Sequence, residues 1–414
     1  MIKQIGKKIK RYSAEGVLFS RILKMIKKKI VKFFSDIDKG VGFVARKIIF
    51  KNGEVQGNKI FFMTYDNAYT CNPRYIAEEC IRRKLPVEIV WVVSKKAKMP
   101  QDRFPKEIKL VRRGSYEMFQ EQASAKIWID NALNCVWFGM PKKKGQIYIN
   151  TWHGSMGIKR LSGNRMWMQR AKACNAMTDY CISNSAFEEA VYRETFWKGT
   201  PILKYGHARN DVFFDKAKCE KLKAHAVEYF DVCADVKLFL YAPTFRDNGA
   251  TDYEAVDYEA LRIALEKRFG GKWIILVRPH FKDRARKKDI VVSEWLKDAS
   301  DYGDMQELLP AIDAGMTDYS SWAYDFILTR RPLLFYAPDE VEYDQVRGFY
   351  FTLKSTNFPL AHNNQELLDA IRAFDEATYL ASVEDFLREK GCYETGRACE
   401  QIVDKLVELL HQEG

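Results

Sequence analysis

The sequence lacks the patterns that indicate a membrane span, a metal site or a phosphate-binding loop. Its 414 residues contain no run of 18 apolar residues, so a spanning helix is not predicted. The nine cysteines are odd in number and none has CxxC spacing, which favours reduced thiols in a cytosolic protein over disulfides or zinc. The motifs GxxxxGK[ST], GxGxxG, HExxH and GxSxG are also missing, and we expect neither a metal nor a cofactor.

The formal net charge of +12 is concentrated at one end of the chain. Residues 1–34 hold eleven Lys or Arg and one Glu, whereas the rest of the chain has 56 basic and 54 acidic residues. A groove that binds nucleic acid needs basic residues spread over the face of a domain. The nearly neutral body therefore argues against a nucleic-acid partner.

The basic arm has the pattern of an amphipathic helix. Apolar residues such as Leu18, Ile22, Ile26 and Phe33 recur at helical spacing, and lysines fill most of the gaps. This pattern is typical of a helix that lies on an anionic membrane surface. A basic helix packed on the protein's own body is the main alternative. We predict a membrane-association arm at residues 1–45 and a peripheral position on the cytoplasmic face of the cell membrane.

From about residue 58, short apolar strands alternate with helical stretches, which predicts βαβ units and parallel sheets. A charged helical connector, Asp215–Asp235, separates two such series. The expected fold is α/β, with two Rossmann-like domains facing a cleft. The predicted domains are 46–214, 215–375, and a C-terminal helical segment 376–414 that could pack back on the first domain. The predicted strands are Lys59–Thr64, Pro86–Ser94, Lys126–Asp130, Gln146–Asn150, Tyr180–Ser183, Ile202–Tyr205, Leu238–Ala242, Trp273–Val277, Ala311–Met316 and Leu333–Tyr336.

Ligands of open parallel sheets bind beyond the carboxyl ends of the strands, and several of these ends carry reactive or charged side chains. Ser320 and Ser321 follow one strand and open a predicted helix capped by Thr317 or Asp318, where unpaired N–H groups suit a phosphate. The tripeptide Arg278-Pro279-His280 follows another. Its guanidinium matches phosphate oxygens, and its imidazole could act as an acid for a leaving phosphate. Simple helix capping and a structural ion pair are the alternatives.

His153 follows the predicted strand Gln146–Asn150 and precedes Gly154 and Ser155. An imidazole at a strand end can deprotonate a hydroxyl near neutral pH. A packed structural histidine beside Trp152 is the alternative. The single D-x-D, Asp36-Ile37-Asp38, lies next to the basic arm, so a metal-bridged nucleotide-sugar site is not predicted.

Six blocks of this sequence resemble the CDP-glycerol glycerophosphotransferase family of teichoic acid polymerases and primases. They are YDNAYTCNPRYIAEE, NTWHGSMGIKRL, GHARND, YAPTFRD, RPH and TDYSSWAYDF with the following RRPLLFYAPDEVEYDQVRGFYF, in matching order over about residues 58–360. The resemblance implies a glycosyltransferase-B-like fold and CDP-glycerol or CDP-ribitol as donor. It also implies a polyprenyl-diphosphate-linked acceptor, with transfer of glycerol phosphate to an acceptor hydroxyl and release of CMP.

The same resemblance implies roles for individual residues. His153 matches the proposed general base and His280 the second essential histidine near the donor phosphates. The implied donor-binding residues are Trp152, Gly154, Ser155, Arg209, Thr244, Arg246, Arg278, Pro279, Ser320, Ser321 and Asp325.

Three mild departures from the family pattern are Ser155-Met156 in place of Thr-Pro, Ala208 in place of proline, and Thr317 in place of serine. The sequence does not distinguish a CDP-glycerol donor from a CDP-ribitol donor, or a single addition from polymerisation. It also leaves open whether the product is a wall polymer or a capsule, and what the oligomeric state is. A nucleotide-sugar glycosyltransferase or epimerase of the same fold is the alternative function. A non-catalytic adaptor that uses residues 1–35 is the alternative of a different class.

Overall fold

The structure, a computed structural model, describes residues 42–95, 103–161, 165–246, 253, 255–280, 283 and 290–412. Most of the predicted basic arm lies outside these residues. A helix, α1, occupies residues 42–49. None of the described helices is long and apolar enough to cross a bilayer.

The first domain is built on a seven-stranded parallel sheet with the order β3-β2-β1-β4-β5-β6-β7. Its strands are β1 (Gln56–Met63), β2 (Glu88–Val93), β3 (Ile108–Arg112), β4 (Ala125–Asp130), β5 (Ile147–Asn150), β6 (Tyr180–Ile182) and β7 (Ile202–Leu203). Its helices are α2 (Cys71–Arg82), α3 (Tyr116–Ser124), α4 (Arg165–Met177) and α5 (Ala186–Thr195), followed by a 3-10 segment at Ala208–Phe214.

The second domain contains a six-stranded parallel sheet with the order β10-β9-β8-β11-β12-β13. Its strands are β8 (Lys237–Tyr241), β9 (Trp273–Val277), β10 (Leu296–Asp298), β11 (Ala314–Thr317), β12 (Leu333–Tyr336) and β13 (Leu360–Ala361). Its helices are α6 (Lys216–Tyr229), α7 (Tyr258–Phe269), α8 (Met305–Leu308), α9 (Trp322–Phe326), α10 (Glu340–Arg347), α11 (Asn364–Arg372) and α12 (Glu376–Lys390). The last helix of the chain is α13 (Ala398–His411).

Both sheets are buried on both faces, which is why their central strands are continuous apolar runs. In β2, Val90 and Val92 pack into one core of the first domain, while Trp91 and Val93 pack into the core on the other face. Residues of β9 divide in the same way between the two cores of the second domain. The predicted α/β class with two parallel sheets is confirmed.

Three strands were not predicted from the sequence, namely β3, β10 and β13, and all three lie at the edges of their sheets. An edge strand is half-exposed and therefore carries polar residues, as in the Leu-Lys-Asp of β10, so its pattern is weak. The helix that Ser320 and Ser321 were predicted to open begins slightly later, at Trp322.

The last two helices pack on different domains. Val383 and Phe386 of α12 belong to a core of the second domain. Ile402 and Leu406 of α13 belong to a core of the first domain, together with residues of β1 and α2. The chain therefore returns to the first domain after completing the second. The exact boundaries of the domains, 46–214, 215–375 and 376–414, remain predictions from the sequence.

Candidate active site

The order of the strands reverses at two places, between β1 and β4 in the first sheet and between β8 and β11 in the second. Such reversals open a crevice at the carboxyl ends of the strands, where ligands of doubly wound sheets bind. Tyr65 and Asn131 follow β1 and β4, and Thr244 and Asp318 follow β8 and β11. These four residues mark the two halves of the candidate site.

His153 is half-buried just beyond β5 and is held by one hydrogen bond to the main chain. Its Nδ1 lies 2.6 Å from the carbonyl oxygen of Asn131. A carbonyl only accepts, so Nδ1 carries the proton and, in the neutral ring, Nε2 keeps its lone pair. Nε2 has no hydrogen bond to any residue in the described part of the chain. The arrangement presents a basic nitrogen with a fixed tautomer.

Burial in the cleft lowers the pKa of His153 to about 4, and the nearby positive charge of Arg209 acts in the same direction. The hydrogen bond to Asn131 opposes this shift. The imidazole is therefore neutral at physiological pH, which is the form that a general base requires.

Two aromatic rings border His153. The ring of Trp152 lies 4.5 Å from the imidazole and that of Tyr65 lies 4.9 Å from it, centroid to centroid. Tyr65 remains 40% exposed, and its main-chain N–H donates to Oδ1 of Asn131 at 2.9 Å. Asn131 therefore positions both His153 and the aromatic ring beside it.

The turn that presents His153 is strained and is held by its neighbours. Trp152 adopts the left-handed conformation, with φ of +48°, which is uncommon for a residue other than glycine. Its N–H donates to Oδ1 of Asn150 at 2.9 Å. The side-chain amide of Asn72 donates to the carbonyl oxygens of Thr151, at 3.0 Å, and Trp152, at 3.3 Å.

The segment after His153 crosses to the second domain. Met156 and Ile158 are buried in a core of that domain. The carbonyl of Ile158 accepts from the N–H of Tyr350 at 2.8 Å, and the N–H of Arg160 donates to Gly348 at 2.9 Å. Residues 156–160 therefore form an edge that pairs with residues 348–350 of the second domain.

The crossing brings two predicted motifs into contact. A Cβ placed on Gly157 would lie 3.4 Å from Cβ of Ser321. Ser155, by contrast, is buried, and its hydroxyl accepts a hydrogen bond at 2.9 Å from the amide of Asn184 in the first domain. Of these two serines, the structure places Ser321 at the cleft.

Ser320 and Ser321 are half-buried residues immediately before α9, rather than in its first turn. The carboxylate of Asp318 does not cap this helix. Its Oδ1 accepts from the N–H groups of Thr244, at 2.8 Å, and Tyr319. Asp318 thus joins the loops that follow β8 and β11.

Arg246 is held by carboxylates of its own domain. Its Nε and Nη2 donate to Asp339 at 2.6 and 2.9 Å, and its Nη1 lies 2.8 Å from Asp318. The guanidinium also lies over the rings of Tyr319 and Tyr343. These contacts indicate a residue that shapes the site, since its donors are engaged by Asp318, Asp339 and the carbonyl of Thr244.

Arg278 is likewise engaged by the protein. Its guanidinium donates to the carbonyl oxygens of Ala299, Tyr302 and Gly303 at 3.0, 2.8 and 2.9 Å. Pro279 is buried, and the half-buried His280 has its ring 5.7 Å from that of Phe245. Because β9 is next to β8, these residues share the sheet edge with Thr244 and Asp318.

Arg209 and Asp325 form a buried ion pair between the domains, with Nη2 and Oδ2 3.0 Å apart. Nη2 of Arg209 also donates to the carbonyl of Gly154, next to His153. Asn210 donates from Nδ2 to Oδ1 of Asp325, at 2.9 Å, and to Oε1 of Glu394, at 2.7 Å. This network joins the His153 turn, α9 and the segment that leads to α13.

Sequence reasoning missed Asn131, Tyr65, Lys159 and Glu394. The strand reversal between β1 and β4 could have indicated the first two, because they follow the two strands that border it. Glu394 reaches the site only through tertiary contacts such as that with Asn210, for which the sequence carries no local signal. Lys159 lies in the same motif block as His153, but the sequence does not show that its charged neighbours belong to the second domain. Among the described residues, no group of three or more His, Cys, Asp or Glu side chains could hold a metal.

Comparison with known proteins agrees with this geometry. The chain is 28% identical over 415 residues to a teichoic acid poly(glycerol phosphate) polymerase of Bacillus spizizenii, covering 94% of this chain and 99% of that one. It is 29% identical to the polymerase of the same description from Bacillus subtilis, covering 93% of this chain and 52% of that one, so it spans about half of that relative.

A solved structure of the wall teichoic acid polymerase TagF superposes with a TM-score of 0.77 at 25% identity, covering 92% of this chain and 96% of that one. The family described as CDP-glycerol:poly(glycerophosphate) glycerophosphotransferase matches residues 45–408. The chain therefore belongs to this family of CDP-glycerol glycerophosphotransferases.

Proposed function

We propose that this protein transfers glycerol phosphate from CDP-glycerol to a hydroxyl of a polyprenyl-diphosphate-linked acceptor at a membrane surface. Its family membership supports the donor and the class of reaction. The acceptor, the membrane surface and the roles of individual residues are parts of the proposal. The observation that carries it is the hydrogen bond from Nδ1 of His153 to Asn131, which leaves Nε2 as a base.

In this mechanism an acceptor hydroxyl attacks the phosphorus that bears glycerol. The new bond joins the acceptor oxygen to that phosphorus, and the bond to the oxygen that bridges the two phosphates breaks. Nε2 of His153 takes the hydroxyl proton, and CMP leaves with the bridging oxygen. The ring of Tyr65, exposed beside His153, offers an apolar surface against which the acceptor can lie.

The second domain supplies the donor side of the cleft. Thr244, His280, Ser320 and Ser321 follow three neighbouring strands, β8, β9 and β11, and their polar groups suit a diphosphate. His280 is proposed to stabilise the leaving CMP phosphate. Arg278 and Arg246 contribute positive charge, while their contacts with carbonyls and carboxylates support a role in shaping the site.

An apolar face of the first domain supports membrane association. Its α1, the 137–139 turn and α4 expose the apolar side chains Phe43, Val44, Ile48, Ile49, Trp137, Met166 and Met168. Phe43 packs against Gly139, and the guanidinium of Arg170 lies 3.4 Å from the centre of the Trp137 ring, so α1, the 137–139 turn and α4 are neighbours. Exposed apolar residues mixed with cations suit an anionic membrane surface, and this face directly follows the basic arm.

A donor panel tests the proposal. The full chain is incubated with a synthetic lipid-linked acceptor and CDP-glycerol, CDP-ribitol or UDP-sugars, and the released nucleotide is measured. Release of CMP from CDP-glycerol with a mass increase of one or more glycerol phosphates on the lipid is expected. Release of UDP, or CMP release only from CDP-ribitol, would contradict the proposed donor. The product masses also separate single addition from polymerisation.

A further inference from the structure

Lys159 lies in the segment that crosses from the first domain to the second. It forms an antiparallel bridge with Phe349. Side chains of an extended segment alternate between its two sides, and Met156 and Ile158 point into the core of the second domain. Gly157 and Lys159 therefore lie on the other side of the segment, where a Cβ placed on Gly157 would lie 3.4 Å from Cβ of Ser321.

The charged neighbours of Lys159 are Asp318, Arg246 and Arg347, which all act on its ionisation. Asp318 and Arg246 follow β11 and β8, so Lys159 stands near the carboxyl ends of the strands that border the second strand reversal. Lys159 is thus a cation that the first domain delivers to the donor side of the cleft.

Two of these neighbours, Arg246 and Asp318, are already paired with each other. Arg246 is bound by both oxygens of Asp339 and by Asp318. Asp318 also accepts from two main-chain N–H groups. Within the part of the chain that the structure describes, Lys159 has neither a hydrogen bond nor an ion pair.

A half-buried ammonium beside other cations is unfavourable unless an anion binds it. Burial lowers the pKa of Lys159 to about 8, with the two arginines acting in the same direction and Asp318 against them. The group is still mainly protonated at pH 7, and a bound anion would raise its pKa again.

We propose that Lys159 is a donor-binding residue whose ammonium contacts the diphosphate of the nucleotide donor. This inference rests on the proposed donor site between Thr244 and Ser321. It assigns phosphate recognition to a residue of the first domain, so the donor diphosphate is bound from both sides of the cleft. Donor binding would thereby favour the arrangement in which residues 156–160 and 348–350 are paired.

Calorimetric titration of the full chain with CDP and with cytidine tests this role. Lys159→Met should weaken CDP binding about 10- to 100-fold, because it removes a hydrogen bond between charged groups. Cytidine has no phosphate, so its affinity should change less than about twofold. Lys159→Arg should recover most of the CDP affinity. Lys354→Met is the control, since it removes an equal charge from an exposed position of the second domain.

A second measurement does not depend on any variant folding. Because Lys159 is partly deprotonated at pH 8.5 and an anion raises its pKa, CDP binding to the unaltered chain should take up protons, whereas cytidine binding should not. Titrations in buffers of different ionisation enthalpy measure this uptake. The absence of uptake by the unaltered chain, or an equal loss of CDP and cytidine affinity in Lys159→Met, would overturn the inference. CMP release from CDP-glycerol by the unaltered chain tests the proposed function separately.

Discussion

The imidazole of His153 donates from Nδ1 to the main-chain oxygen of Asn131, across a distance of 2.6 Å. The two residues follow neighbouring strands, β5 and β4. A main-chain oxygen cannot change its role with pH, so the tautomer of His153 is set by the fold itself. This relationship leads to the first two predictions.

The first prediction concerns the pH dependence of the reaction. The pKa of His153 is lowered to about 4, so Nε2 is free above about pH 5 and becomes protonated as the pH falls through 4. We expect kcat/KM for CMP release to be flat between pH 5 and 7 as far as His153 is concerned. An acid limb with a midpoint near 6.5 that disappears in a His153 variant would contradict the burial effect.

The second prediction concerns the loss of the base. His153→Ala should slow CMP release about 10²- to 10⁴-fold, the usual effect of losing a general base. Binding of CDP, measured by calorimetry, should change little, because the proposed donor site belongs mainly to the second domain. His362→Ala is the control, since His362 is exposed and contacts Glu340 and Glu366. Turnover that stays within about tenfold would refute the proposed role.

The third prediction concerns the ion pair between the domains. Arg209→Met would leave the carboxylate of Asp325 buried without its cation, and breaking a buried pair costs about 3–5 kcal/mol. We expect a large decrease in the urea midpoint of unfolding. Arg372→Met, which breaks an exposed pair with Asp369, is the matched control and should have little effect. Equal shifts for both variants would show that the buried pair does not hold the domains together.

The fourth prediction concerns Glu394, whose pKa burial raises from 4.5 to about 7, with help from the charge of Asp325. The folded state binds this proton more tightly than the unfolded state. The contribution of protonated Glu394 to the free energy of unfolding is therefore complete below pH 4.5 and is lost as the pH rises through 7. As the pH rises from 5 to 8, the free energy of unfolding of Glu394→Gln should increase by about 1–2 kcal/mol relative to that of the unaltered chain. This figure allows for the partial exposure of Glu394.

Urea unfolding of both proteins at several pH values measures this difference. The glutamine keeps one oxygen that can accept from Asn210 and from the N–H of His207. A lost hydrogen bond would shift the difference equally at every pH, so the part that changes with pH reports ionisation. A difference between the two proteins that is constant from pH 5 to 8 would contradict the raised pKa.

The fifth prediction concerns membrane association. Deletion of residues 1–35 should move the protein from the vesicle-bound to the unbound fraction when anionic vesicles are floated. Met166→Ser with Met168→Ser should weaken the binding that the described domain contributes. Val291→Ser with Val292→Ser, at an exposed site of the second domain, is the control. Unchanged flotation after the deletion would contradict the role of the arm.

The alternation of apolar strands with helices was sufficient to predict the α/β class and most strands of both sheets. This worked because a parallel strand covered on both faces is almost continuously apolar, as the buried residues IVWVV of β2 are. It failed at β3 and β10, since edge strands need not be apolar, and at β13, which has only two residues. The six motif blocks also indicated the family, which the comparisons confirm.

The position of His153 after a strand could be predicted from the sequence, because the motif and the strand are adjacent in the chain. The identity of its partner was not, since Asn131 lies 22 residues away and meets it only when β4 and β5 pair. In the same way, the guanidinium of Arg209 could be recognised as a site candidate. Only the folded chain pairs it with Asp325, 116 residues further on.

Local sequence therefore specifies which strands form and which side chains stand at their ends, because both depend on neighbours along the chain. The protonation and partners of those side chains depend on what surrounds them in space. Lys159 shows the difference most clearly. In the sequence it is one lysine in a motif of the first domain, whereas in the structure it stands half-buried against the charged residues of the second.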